Sequence, residues 1–323
     1  RSVCIQAVQV VNLMVKKTFK EKKMKKLMVL AVAMAMVATF AMTASAAEWN
    51  FYGSSRVNTW ITDTGAPDKV YTEALQGNSR IGANVKVSDE LSGRFEYGTG
   101  VNVRLLYGEW NFGSGSFLVG QTYTPLNMFY SNQVYGSDTD LLDHGGVYSG
   151  RAPMLRLKFG SFQIAAVAPA AGNIDVPTIE AKYSLSLGAA SLQIAGGYDV
   201  GPDLGEAAYV VALGASMNVG PVSLGGNIYF GDNAEQLIWT RGAGDSNLGY
   251  LIVAGFKAND MIKLEAGYAS AEGDTPAGVT IDAYSYYAQA VITIAPGVYV
   301  IPEVGTIDSG NTDYFGAKWQ INF

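Results

Sequence analysis

The chain is short of cysteine, histidine, proline and charge. Its only cysteine is Cys4, ahead of an N-terminal apolar run, so the body that follows has no disulfide, no Cys-bearing metal site and no thiol nucleophile. The absence of a Cys-x-x-Cys-His motif excludes covalently attached haem. The only histidine is His144. Acid–base chemistry on a nucleophile or a water needs a histidine beside it, and no motif places a serine next to this one. His144, followed by Gly145-Gly146, reads as a structural loop residue. Charged residues make up 15% of the chain, sparse for a water-exposed surface, and the 10 prolines form no Pro-rich stretch. Gly98-Thr99-Gly100 is followed by no helical pattern, so it is not a dinucleotide loop.

Long apolar runs are missing too, except near the N-terminus. Met24-Lys25-Lys26 is a short basic region, Leu27 to Met42 is apolar, and Ala44-Ser45-Ala46 is a small-x-small site. Residues 24–46 are therefore expected to be a secretory signal peptide, cleaved between Ala46 and Ala47. Residues 1–23 begin on Arg1 and turn strongly basic from Lys16 to Lys23, which is expected of an upstream or non-native extension. Residues 47–323 then carry 14 basic against 27 acidic side chains. Such an acidic balance excludes nucleic acid as a natural partner.

What is abundant is glycine, with 38 residues, and aromatics, with 19 tyrosines among them. From Trp49 onward short period-2 segments alternate with turn residues. In Ile179–Leu187 one face is Ile, Ala, Tyr, Leu, Leu and the other Glu, Lys, Ser, Ser. About sixteen such segments occur between 49 and 323. Connections after even-numbered segments are short, as at Gly160-Ser161 and Gly188-Ala189, whereas those after odd-numbered ones are mostly long, notably 124–152. Tight turns on one rim, long loops on the other and aromatics at segment ends predict an all-β fold, a transmembrane antiparallel β-barrel of about 16 strands. A soluble sandwich shares the alternation but not the export signal or the unbroken run of strands.

The residues 47–53, AEWNFYG, the segment 103–113 with 119–125, the long loop after the fifth strand and the final alternation ending on Phe323 resemble the general bacterial outer-membrane porins. The chain departs from that family in its shorter loops and its very short second loop. The resemblance implies a barrel in a bacterial outer membrane, embedded in lipid and lipopolysaccharide and assembled as a homotrimer. It also implies a loop after strand 5 that folds inward to narrow the channel. Phe323 is similar to the assembly signal read by the barrel-assembly machinery. The function implied is passive diffusion of small polar solutes and ions.

Alternation assigns the inward side chains. Arg56, Arg80, Arg94 and Arg104 fall inward on strands 1 to 4, and Arg156 on strand 6. A lipid-facing arginine near the midplane would cost about 2–4 kcal/mol, which supports that assignment independently. Strand 4 conflicts with itself, because Arg104 and Glu109 have opposite parity, and flanking Leu105 is then expected to face outward. The loop carries Asp138, Asp140 and Asp143, and the expectation is an acidic loop facing a basic wall across a constriction. Asp138 to Asp143 has some likeness to a calcium loop but lacks its glycine and terminal glutamate, so no cofactor is expected, and calcium at acidic loops is only a weak reading. Three alternatives stay open: a substrate-preferring channel, an enzymatic barrel, and a non-conducting structural or adhesin barrel.

Overall fold

The computed structural model describes residues 47–169, 176–200, 207–242, 244, 246–274, 278–307 and 309–323. The segments 24–46 and 1–23, expected to be a signal peptide and an upstream extension, lie outside the described residues. The body Trp49–Phe323 is built of antiparallel strands. The first half is β1 (Glu48–Asp63), β2 (interrupted, Val70–Leu75 and Arg80–Lys86), β3 (Leu91–Gly98), β4 (Val103–Asn111), β5 (Ser116–Tyr123), β6 (Arg151–Phe159), β7 (Phe162–Val167) and β8 (Thr178–Leu187). The second half is β9 (Ala190–Asp199), β10 (Ala208–Val219), β11 (Val222–Asp232), β12 (Ser246–Lys257), β13 (Ile262–Asp274), β14 (Thr280–Ala295), β15 (Val298–Ile307) and β16 (Thr312–Asn322).

Each strand pairs with its neighbours in sequence, and β16 returns to β1 in a ladder running from Ser54↔Asn322 to Asp63↔Asp313. The sheet is thus a closed barrel of sixteen strands with no free edge. Two-residue turns close several hairpins, and at Gly160 and Gly188 the backbone takes φ of +55° and +64°, a region that favours glycine.

Burial along the strands is the reverse of a soluble sheet. On β12, Asn247, Gly249, Leu251 and Val253 form the covered face, while Leu248, Tyr250 and Ile252 project outward, Ile252 being 60% exposed. The same holds around the wall, with Leu106, Leu155, Ile194, Leu213, Ile228 and Val304 all exposed. A continuous apolar exterior of this kind is stable only against lipid. Aromatic clusters mark both rims. Trp49, Phe51 and Phe95 gather at the short-turn end with Trp110, Phe112 and Phe159, and Tyr250, Tyr268 and Tyr284 at the long-loop end. Among the described residues no helix is long and apolar enough to cross a membrane, and the crossing is made by strands.

One expectation needs correction. Leu105 does not face outward; it is buried at 3% exposure beside Arg104 at 4%. The β3–β4 ladder shifts register there, Glu96 pairing with Leu105 but Tyr97 with Val103. The extra residue is a β-bulge, which lets Arg104 and Glu109 share a face despite their opposite parity.

Placing a charge on the outer face tests this assignment. Ile252→Arg is expected to cost about 2–4 kcal/mol in a urea titration of the barrel refolded into vesicles. An unchanged midpoint would contradict a lipid-facing β12.

Candidate functional site: a charged cavity and the segment that borders it

A cavity of about 450 Å³ has Arg56, Arg80, Arg104 and Lys318 in its lining together with Asp138 and Asp140, and Phe129 and Tyr123 complete the wall. A second cavity, of about 610 Å³, shares Asn132, Lys318 and Gln320 with it. Three of the five arginines singled out from sequence therefore meet two of the three aspartates. Arg56 pairs with Asp138, whose other oxygen takes a bond from Lys318 Nζ at 2.7 Å. Gln76 and Asn78 donate to the same carboxylate at 2.7 and 3.1 Å.

Behind this pair the other guanidiniums gather on one buried carboxylate. Glu96 accepts from Arg104 Nε at 2.7 Å and from the Tyr52 hydroxyl at 2.8 Å, with Arg80 at 3.5 Å and Arg94 at 3.4 Å. A carboxylate that is 2% exposed would be costly alone, and like-charged arginines would repel. Together each cancels the other's penalty, as a satisfied buried network requires.

The remaining residues stand apart. Arg94 donates to the Tyr52 hydroxyl and lies outside the cavity lining. Arg156 approaches Glu109 at 3.9 Å on the opposite side of β5. Asp143 does not face the arginines; it is buried between His144 Nδ1 at 2.7 Å and Arg241 Nε at 2.9 Å, so its charge is already matched. Phe323 continues the β16–β1 ladder, its amide donating to the Gly53 carbonyl at 3.1 Å.

The segment between β5 and β6 carries these aspartates, and its backbone is satisfied by the barrel wall. Carboxylates on polar strand faces accept its amides: Glu180 takes Leu126 at 2.7 Å, Glu265 takes Asn132 at 2.8 Å, and Glu303 takes Val134 and Tyr135 at 2.7 and 3.0 Å. Side-chain donors serve its carbonyls, as Asn227 does for Gly145 at 2.8 Å and Gln289 for Asn132 at 2.9 Å. Apolar contacts add three footholds: Leu126 and Met128 against Val210, Ala212 and Tyr229; Leu141 against Leu251 and Val253; and Val134 against Trp60, Ile301 and Tyr314.

Lys318, Glu96 and these anchoring glutamates were not singled out from sequence as site residues. Their signal was available for Glu180, a charged residue on the polar face of an alternating strand. For Lys318 the partner lies 180 residues away, which only the closure of β16 onto β1 reveals.

The two loop acids respond differently to their surroundings. Burial pushes the Asp138 carboxyl up, but Lys318 and Arg56 outweigh it and hold it below the ordinary Asp range. For Asp140 burial comes first and the neighbouring Asp138 charge adds to it, so its carboxyl is raised well above that range.

No family model matches the sequence, and no curated protein matches it. Solved structures do. The outer membrane channel DcaP of Acinetobacter baumannii superposes with a TM-score of 0.68 at 15% identity, over 86% of this chain and 97% of that one. The fold is that of the outer-membrane porins. OmpF of Salmonella typhi, solved in complex with daunomycin, gives 0.67 at 17% identity over 85% and 97% of the two chains. OmpT of Vibrio cholerae, an outer membrane protein in its trimer form, gives 0.64 at 17% identity over 86% and 100%.

The glutamate anchors are open to direct measurement. Glu303→Gln keeps the shape but removes the charge from two hydrogen bonds, each of a kind worth about 1.5–3 kcal/mol. The amides of Val134 and Tyr135 are expected to exchange hydrogen about tenfold faster or more, read by mass spectrometry, with the β15–β16 ladder unchanged. Unaltered exchange at both would remove Glu303 as an anchor.

Proposed function

We propose that the chain is a passive diffusion channel for small hydrophilic solutes and ions across a bacterial outer membrane. The observation that carries this reading is the pair of adjoining polar cavities enclosed by a sixteen-stranded barrel with an apolar exterior. Sixteen strands enclose more space than wall side chains alone can fill.

In this reading the segment between β5 and β6 folds across the lumen and narrows it. Arg56, Arg80 and Arg104 form the basic side of the constriction and Asp138 and Asp140 the acidic side. Opposed charges across a narrow aqueous opening set up a transverse field that orders water and orients polar solutes. An apolar solute is disfavoured because it must displace that water. Arg94, through Glu96, positions the basic side rather than lining it. Asp143 and Arg156 have structural roles.

The working unit is a homotrimer, a reading supported by the trimer form of the OmpT barrel that this fold resembles. Export uses the signal peptide, and insertion uses the assembly machinery acting on the strand that ends at Phe323. Lipid and lipopolysaccharide contact the apolar exterior. Transport rather than catalysis is favoured because the one histidine is 1% exposed and its Nδ1 is committed to Asp143, leaving it out of reach of a solute in the channel.

Conductance in a planar bilayer under a salt gradient tests the reading. Large ohmic steps are expected, and a folded barrel that passes no current would overturn it. The pH dependence has a definite sign. As the pH falls Asp140 takes up its proton before Asp138, because its carboxyl is raised while that of Asp138 is held below the ordinary Asp range. The cavity thereby loses one negative charge, and cation permeability relative to anion falls. Asp140→Asn is expected to hold the parent's acid-side reversal potential throughout the titration and to lose most of the pH response. A variant that titrates like the parent would remove Asp140 from the conduction path.

A further inference from the structure

An aromatic ring stands in the wall of the charged cavity without an evident structural reason. Phe129 is 49% exposed, although Leu126, Asn127 and Met128 just before it are at most 2% exposed. The Tyr123 ring meets it edge-on, centroids 5.2 Å apart at 78°, and Tyr148 meets it at 6.0 Å and 64°. Two such contacts fix the orientation of the phenyl group while leaving half of its surface uncovered. The aromatic contacts account for the covered half of the ring, and the apolar half left facing the cavity gains nothing from burial.

The ring shares the cavity with Arg56, Arg80 and Arg104. These guanidiniums are not equally committed. Arg56 pairs directly with Asp138, and Arg104 lies 2.7 Å from Glu96. Arg80 donates through Nε to the Asn78 carbonyl at 2.9 Å and reaches Glu96 only at 3.5 Å, so the outer end of its guanidinium is the least engaged, and its side chain is the most exposed of the three, 20% against 11% and 5%. Four cationic side chains, Lys318 included, share the lining with Asp138 and Asp140. The volume of about 450 Å³ lies within the range of small-molecule sites.

We infer that this cavity is a retention site for aromatic carboxylates, with the solute ring against Phe129 and its carboxylate on Arg80. The inference rests on the channel reading and names the class of solute that the channel holds longest. A small anion such as acetate would use the arginines and leave the ring idle. A neutral aromatic would use the ring and leave the guanidinium idle. A flat ring bearing a carboxylate engages both, and the planar guanidinium suits a carboxylate in paired hydrogen bonds.

The test is current block in a planar bilayer by added benzoate, acetate, cyclohexanecarboxylate and benzyl alcohol, each read as a fraction of the channel's own open current. Benzoate is expected to reach half-block at a concentration about five- to tenfold lower than cyclohexanecarboxylate and lower still than acetate. Phe129→Leu, which keeps an apolar side chain of similar bulk, is expected to erase the difference between the two ring acids. Arg80→Gln is expected to bring benzoate toward benzyl alcohol. Equal block by benzoate, cyclohexanecarboxylate and acetate, or a ring preference that survives Phe129→Leu, would overturn the inference and leave the channel reading intact. A folded barrel, identified by heat-modifiable migration, that passes no current would overturn the channel reading instead. Benzoate binding to it by titration calorimetry then decides the site on its own, with no heat overturning it.

Discussion

Hydrocarbon offers no hydrogen-bond partners, and every other feature of this chain follows from that constraint. Backbone amides and carbonyls within a bilayer must be paired inside the protein, so strands can cross only if the sheet closes on itself. Here closure is made by β1 and β16, two strands from opposite ends of the body, whose ladder runs over ten paired positions. Once the exterior is committed to lipid, polar and small side chains have only the covered face left to occupy.

The same accounting governs the segment between β5 and β6. It carries irregular backbone with little ladder of its own, only the two-residue pairing of Asn127–Met128 with Val147–Tyr148. Local turns pair some of its amides and carbonyls, and wall side chains serve others: Glu180, Glu265 and Glu303 on one hand, Asn227 and Gln289 on the other. Buried hydrogen bonds of this kind favour one arrangement of the segment over others. Asp138 is the point at which this scaffolding becomes electrostatics, because one carboxylate ties the segment to both closing strands through Arg56 and Lys318.

Much of the barrel was legible in the sequence, because period-2 alternation and turn chemistry are local signals. The strand from Thr178 to Leu187 could be read almost residue for residue. The bulge at Arg104 left a trace as a parity conflict, but its resolution depended on pairing with β3. The site was legible only in part. Inward arginines are visible from alternation, yet which of them converge depends on their height along the strands: Arg94 joins Arg80 and Arg104 on Glu96 but stays out of the cavity lining, and Arg156 lies apart. Asp143 carries the same local signal as Asp138; only the distant Arg241 distinguishes them. Trp60, Leu251 and Ile301 run against a polar interior, and the loop residues Val134 and Leu141 that cover them explain why.

Charge pairing at Asp138 ties the segment to both closing strands, and in the proposed channel it is this pairing that sets the cross-section. Single-channel conductance of an Asp138→Arg variant tests it most directly, since the new cation would repel Arg56 and Lys318 instead of binding them. A changed unitary conductance together with a reversal potential displaced toward anions is expected. A variant with the parent's conductance and selectivity would contradict it.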